Sequence, residues 1–542
     1  MNLQRFLDYL TPILDRIDSF VWGPFTVALL VGTGLFLTVR LKLIQVRGFR
    51  HSIEITSGKY DKPEEEGDVS HFQALCTALS ATIGVGNIAG VATAISWGGP
   101  GALFWMWVTA AVGMATKYTC CSLALKYRVI HPDGSVSGGP MYYLERGLGQ
   151  KWLAVLFAFF AATASFGIGC MVQANSVVDG VRNLLPDSMA RLAVIEAIPA
   201  LGGLPLYKVA LGLVLAVMTG LVIIGGVRRI ARVASYLVPV MCLLYAAGTV
   251  AVLALNASRI PEVIGQIFYY AFTPVAVGGG FFGVVVQQTI QKGVARGIFS
   301  NESGLGSAPI AHAAAKTREA VRQGFVALLE PFTDTLVVCS MTGLVIMLSG
   351  EWMVRSDDGR LLFGPGAIGR PGIYQGHVTA AGEKVVLDQY QGKLVVVEAA
   401  RDANRPILNS KGEPMLVPTS ATLSIRSFEK SLGRWGTWVV ALALALFAYS
   451  TLISWSYYGD RSVGYLLGQR AVMPYRWLFC VFAFVGAVGG LQLVWTIADI
   501  LNACMAFPNL VGLIFLSGVV VRETRDYQRR MAEQKRRERL PP

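Results

Sequence analysis

The chain has 542 residues, 54% of them hydrophobic and only 15% charged, with a mean hydropathy of +0.52. That balance excludes an ordinary soluble enzyme and describes a chain whose solvent is lipid. The net charge of +13 would suit nucleic acid in a soluble protein, but here the basic residues fall in alternate loops between apolar segments and so follow the membrane.

A helix crossing the hydrocarbon core needs about 20 mostly apolar residues. About eleven stretches qualify, at roughly 18–40, 71–98, 101–127, 152–178, 207–226, 233–255, 265–290, 324–349, 435–458, 474–491 and 495–521. No barrel-like alternation competes with them, so the pattern predicts an all-α polytopic membrane protein. The chain divides into 1–70, an N-terminal helix and loop; 71–350, a first set of five spans and the start of a second; 351–430, an insertion; 431–521, the remaining spans; and 522–542, a basic tail.

After the first span, Arg40, Lys42, Arg47 and Arg50 mark a cytoplasmic loop, and basic residues return in the turn "GVRRIARV" and in the tail. An odd number of spans then puts the N-terminus outside and the C-terminus inside. The N-terminus lacks a basic start and a small-residue cleavage site, so the first span is expected to stay in place.

The second span carries "SATIGVGNIAG" at 80–90. Glycine within a helix costs roughly 1 kcal/mol relative to alanine. In hydrocarbon, groups freed by a break at Gly84 and Gly86 survive only against protein or an aqueous cavity. Freed amides at a half-helix N-terminus suit a carboxylate, and freed carbonyls suit a small cation. The same glycines would also serve close packing of straight helices.

Lys117 lies in the third span, and Gln173 and Asn175 give the fourth uncharged hydrogen-bonding capacity that suits a zwitterion. Residues 185–206 suggest a short interfacial helix outside. The seventh span carries "VAVGGGFFGVV", with Gly278, Gly279, Gly280 and Gly283 interrupting an apolar run five spans after the first break. Paired interruptions at matching places in two five-span halves point to an inverted-repeat transporter with its site between the breaks. Residues 293–317 are expected to form helical turns on the cytoplasmic side, under the bundle.

Asp334, Asp499 and Lys117 are charges within spans, which serve either coupling or the holding of helices in register, whereas Glu302 and Glu330 are placed nearer a membrane face. The insertion 351–430 holds Val-rich bursts, "EKVVLDQY" and "GKLVVVEAA", which predict a small β-rich lobe outside. In the ninth span Ser450 and Thr451 are adjacent, with Trp455 one turn on. Their hydroxyls suit a hard cation, or else bond back to their own helix. There is no P-loop, HExxH or GxSxG, and the eight cysteines and five histidines form no metal spacing, so neither an enzyme nor a bound cofactor is expected.

"TALSATIGVGNIAGVATAISWGGPGALFWMWVTAAVGMATKY", "GGPMYYLERGLG", "ARGIFSNESGLGSAPIAHAAAKT" and "DTLVVCSMTGLVI" closely resemble the alanine or glycine:cation symporter family, over most of 70–350 and 435–520. The resemblance implies sodium-coupled uptake of small neutral amino acids (alanine, glycine) across the bacterial inner membrane. It also implies a LeuT-like ten-helix inverted-repeat core with two broken helices and one extra N-terminal helix. Carried over residue by residue, it implies substrate contacts from Thr82, Gly84, Gly86, Asn87, Gln173, Phe281 or Phe282, Thr451 and Trp455. Sodium, the coupling ion, would take carbonyls near Ile83 and Gly86 and the hydroxyl of Ser450 or Thr451. The chain departs from the family at Ser303, usually alanine, and in the length of its insertion. A proton-coupled carrier using Asp334 or Asp499 is the rival expectation, and a channel or membrane-embedded enzyme a remote one.

Overall fold

Backbone groups taken out of water must pair within their own segment, which is why the apolar runs are helices. A computed structural model describes residues 10–537 apart from 11, 15, 19, 63, 133, 187–204, 273–281, 356–360, 364–376, 379–383, 391–392, 399–404, 407–419 and 490–491. Among the described residues, eight helices are long and apolar enough to cross a bilayer, or nine when the bent pair His71–Thr82 and Gly86–Gly98 counts as one span. The protein is an all-α polytopic membrane protein.

Helix α1 (Pro24–Arg40) opens on a proline, whose missing N–H is no loss in a first turn. The short α2 (Phe49–Thr56) leads to α3 (His71–Thr82). A capping box starts α3: the Ser70 hydroxyl accepts from the Gln73 amide at 3.2 Å, and the Gln73 side chain accepts from the Ser70 amide at 3.1 Å. The chain leaves helical geometry at Ile83 and resumes through a π turn (Gly86–Gly90) into α4 (Val91–Gly98), bent by 52°. The expected first break is therefore present.

Next come α5 (Gly101–Lys126), α6 (Pro140–Arg146), and α7 (Lys151–Phe166) running through a π turn into α8 (Val172–Arg182). Helices α9 (Leu206–Ile223), α10 (Gly226–Leu255) and α11 (Ile260–Phe272) precede α12 (Phe282–Asn301). The short α13 (Ala308–His312) is followed by α14 (Ala320–Pro331), which passes through a π segment (Phe332–Cys339) into α15 (Ser340–Ser349). Helices α16 (Ser420–Leu432), α17 (Arg434–Leu467), α18 (Val472–Val488) and α19 (Gln492–Arg537) complete the bundle.

Helix α12 lies close against α5 because Gly293 and Gly297 face Ala102, Met106 and Thr109, a small residue every fourth position letting two backbones approach. Its path bears on two expectations. Gly278, Gly279 and Gly280, the glycines expected to break the seventh span, lie outside the described residues, while Gly283 sits inside unbroken helix. A further interruption falls at 302–307, between α12 and α13. There Glu302, Gly304 and Gly306 have φ of +52°, +95° and +94°, the left-handed region that ends a helix abruptly. Nor does 293–317 hang beneath the bundle, since residues 300–315 are buried within it.

The insertion holds a two-stranded pair (Val354–Arg355 with Leu361–Phe363) and a four-stranded antiparallel sheet in chain order, from His377–Val378 to Arg405–Pro406. Its central strands, Lys384–Tyr390 and Lys393–Glu398, are the two Val-rich bursts. Its last part is not lobe: α16 packs into the bundle, where the Ser424 hydroxyl donates to the Ile88 carbonyl at 3.0 Å. The expected interfacial helix at 185–206 lies almost wholly outside the described residues. Residues 522–537 continue α19, and the tail docks through the buried Tyr527 and an Arg530–Glu319 pair at 2.7 Å.

Candidate functional site

The first break is held open by side chains that take up its freed backbone groups. The Gly84 amide donates to Asn87 Oδ1 at 2.8 Å, the Thr342 hydroxyl donates to the Asn87 carbonyl at 2.7 Å, and Ser424 satisfies Ile88 as above. Each of these partners comes from elsewhere in the fold or from the break itself, so the non-helical geometry leaves few polar groups stranded.

Beside this break is a small cavity. Thr82, Gly84 and Gly86 bound it on one side, Gln173 from α8 and Thr451 and Trp455 from α17 on another, Phe299 and Glu302 from the end of α12 on a third, and Asn502 from α19 closes it. The room open to the centre of a water molecule is about 20 Å³, enough for roughly one water. Admitting an amino acid therefore requires the walls to move apart.

Glycine at 84 and 86 is a matter of approach. A Cβ on Gly84 would lie 2.5 Å from Thr451 Oγ1 and 3.6 Å from Gln173 Oε1, and one on Gly86 would meet Phe299 Cδ1 at 3.3 Å and Ser300 Cα at 3.4 Å. The two breaks thus face each other across the cavity. Trp455 Nε1 donates to Glu302 Oε1 at 3.0 Å, and the Ser307 hydroxyl donates to Glu302 Oε2, so the second break is pinned to α17 through its carboxylate. Gln173 Nε2 donates to the Ile168 carbonyl at 3.0 Å, leaving its buried Oε1 without a partner.

Six residues singled out from the sequence as substrate contacts line the cavity: Thr82, Gly84, Gly86, Gln173, Thr451 and Trp455. Asn87 does not. It turns behind the break and donates from Nδ2 to Asp334 Oδ1 at 2.6 Å. Phe281 lies outside the described residues, and Phe282 opens α12 with a side chain outside them. Of the residues proposed for sodium, Thr451 Oγ1 lies 3.5 Å from the Ile83 carbonyl and donates to Phe447 O at 3.0 Å. Ser450 faces α3 instead, exchanging hydrogen bonds with Ser80, whose hydroxyl donates to the Ser450 carbonyl at 2.7 Å.

The in-span charges lie away from the cavity. Lys117 pairs with Glu330 at 2.6 Å, with His312 3.4 Å from the other Glu330 oxygen, so Glu330 is buried in the protein interior. Asp334 accepts from Asn87, from Ser300 at 2.8 Å and from Thr335 at 2.6 Å. Asp499 sits one turn before Asn502 and does not line the cavity. Sequence reasoning missed Phe299, Glu302 and Asn502. The signal for Glu302 was in "NESGLGS", whose spaced glycines announce a second break as plainly as "IGVGN" does the first.

The family described as the sodium:alanine symporter family matches residues 7–364 and 407–540. An uncharacterized transporter of Haemophilus influenzae is 42% identical over 521 residues, covering 96% of both chains. The sodium/alanine symporter AgcS of Methanococcus maripaludis is 42% identical over 519 residues, covering 95% of this chain and 96% of its own. The amino-acid carrier protein AlsT of Bacillus subtilis is 31% identical over 524 residues, covering 96% and 92%.

Proposed function

The chain belongs to the sodium:alanine symporter family, a family of cation-coupled amino acid symporters and not of enzymes, and on that premise we propose that it carries alanine, glycine or a similar small neutral amino acid into the cell with sodium. Transport runs by alternating access in a LeuT-like core of ten helices, preceded by α1, for eleven spans in all. The N-terminus is outside and the C-terminus inside the bacterial inner membrane, with the basic loops cytoplasmic.

One observation carries this reading: two interrupted helices meet across a cavity whose other walls are Gln173, Thr451 and Trp455. The substrate sits there, between Thr82, Gly84 and Gly86 on one side and α17 on the other. Phe299, which borders the cavity, is an aromatic neighbour of the substrate, beside Phe281 or Phe282 from the start of α12. Sodium is held by the Ile83 and Gly86 carbonyls with the Thr451 hydroxyl, oxygen ligands suited to a hard cation. Ion and substrate each raise the other's affinity because both order the same break.

The test is uptake of labelled alanine and glycine into proteoliposomes under imposed gradients. An inward sodium gradient is expected to drive accumulation that collapses when sodium is replaced by potassium. Accumulation indifferent to sodium and driven by a pH gradient would replace this reading with proton coupling, and equilibration without accumulation would replace it with a channel.

A further inference from the structure

Three acceptor oxygens converge on the cavity with no cation among them. Glu302 is buried, 5% exposed, at a left-handed φ of +52° that only the surrounding packing maintains; such strain in a non-glycine residue concentrates at functional sites. Gln173 Oε1 and Asn502 Oδ1, on side chains 4% and 1% exposed, are buried without hydrogen-bond partners, and both residues line the same space. Which end of Gln173 faces the cavity is settled by its amide nitrogen, which is spent on the Ile168 carbonyl.

The charge count in this interior points the same way. Lys117 pairs with Glu330 and its charge also reaches Glu302, but among the described residues no cationic side chain forms an ion pair with Glu302. Its two hydrogen bonds come from neutral donors, Trp455 and Ser307. A buried carboxylate hydrogen-bonded only by neutral donors, with Lys117 paired to another acid, favours a cation arriving beside it. A primary ammonium has three N–H donors, and the Glu302 carboxylate with the two unpartnered amide oxygens of Gln173 and Asn502 can accept them.

We propose that Glu302, with Gln173 and Asn502, forms the subsite that receives the ammonium group of the transported amino acid. The inference rests on the amino acid carrier reading and adds the orientation of the solute: ammonium toward the second break, carboxylate toward the amides of the first, where the N-terminal end of the half-helix at Gly86 favours negative charge. It makes the ammonium group, more than the side chain, the feature on which solutes are sorted. The sodium ion carries the same charge, and the test separates the two.

Sodium-driven alanine uptake, with lactate as the competitor in which hydroxyl replaces ammonium, is measured in proteoliposomes of wild type and Glu302→Gln. Wild type is expected to prefer alanine to lactate by about a hundredfold or more, because a site built around a charged donor rejects the analogue lacking it. Glu302→Gln, which keeps an acceptor for Trp455, is expected to raise the alanine KM by about tenfold or more and to bring that preference within about tenfold. An unchanged alanine KM, or a changed sodium requirement with the alanine preference intact, overturns the proposal. If Glu302→Gln does not fold, Glu302→Asp decides: shorter but still charged, it must keep the preference, and a preference lost in a folded Glu302→Asp also overturns it. If wild type itself accumulates no alanine with sodium, the failure belongs to the transport reading and not to the subsite.

Discussion

Asn87 Nδ2 donates to the Asp334 carboxylate at 2.6 Å while Asn87 Oδ1 accepts from the Gly84 amide, so a single side chain ties the break in one span to the buried acid of another. Both residues are fully buried. The break in α3–α4 is thus propped from behind, on the side away from the cavity.

Removing that prop has a defined consequence. Asn87→Ala strands the Gly84 amide and takes one donor from Asp334, which is expected to lower stability by about 1–3 kcal/mol. Thermal unfolding in detergent reads the loss, and an unchanged midpoint would show that the break holds itself open.

Gly84 offers a sharper test of the cavity. A methyl group there would sit 2.5 Å from Thr451 Oγ1, forcing α17 away from the break. Gly84→Ala is expected to cut sodium-driven uptake by about tenfold or more, since small displacements of positioning groups carry penalties of that order. Gly86→Leu, which would push into Phe299 and Ser300, is expected to abolish uptake. Both variants should reach the membrane in normal amounts, and undiminished uptake in either would count against the site.

Thr451 and Ser450 are neighbours with different expected effects. Thr451→Val removes the hydroxyl beside the Ile83 carbonyl and is expected to raise the sodium concentration for half-maximal uptake by about tenfold, roughly one lost ligand. Ser450→Ala breaks a hydrogen bond to Ser80 and should leave that concentration within about threefold. Sodium titrations of alanine uptake compare them, and the reverse order would move the ion to the α3 side.

Lys117 and Glu330 form a buried pair in the interior, so truncating one strands the other. Lys117→Met is expected to destabilise by about 3–5 kcal/mol, while Lys117→Met with Glu330→Gln should cost less than the single change. Thermal midpoints of the wild type and these two variants test this, and a double variant no more stable than Lys117→Met would mean that Glu330 is held chiefly by His312.

The first break was legible because its physics is local: glycines in an apolar span weaken a helix wherever they occur. Gln173, Thr451 and Trp455 were legible through motifs and resemblance, and they do border the cavity. Other residues are placed by contacts that the sequence does not carry. Asn87 is polar at bilayer depth yet looks away from the cavity, because a side chain three residues beyond Gly84 can reach back to cap its amide. Ser450 and Thr451 differ by one position on a helix, about 100° of rotation, which sends one hydroxyl to Ser80 and the other to Ile83.

The sequence by itself determined that the chain is a bundle of membrane helices, that one span is interrupted at Gly84, and which family it joins, since hydropathy, glycine spacing and motif order need no partner to be read. Only the tertiary structure decided that the interruption at 302–307 is buried beside the first. "NESGLGS" has the small and polar composition of a loop, and whether such a stretch is a loop or the centre of a site depends on what covers it. Here α5, α17 and α19 cover it, and burial turns Glu302 from an ordinary surface acid into a charge facing the cavity.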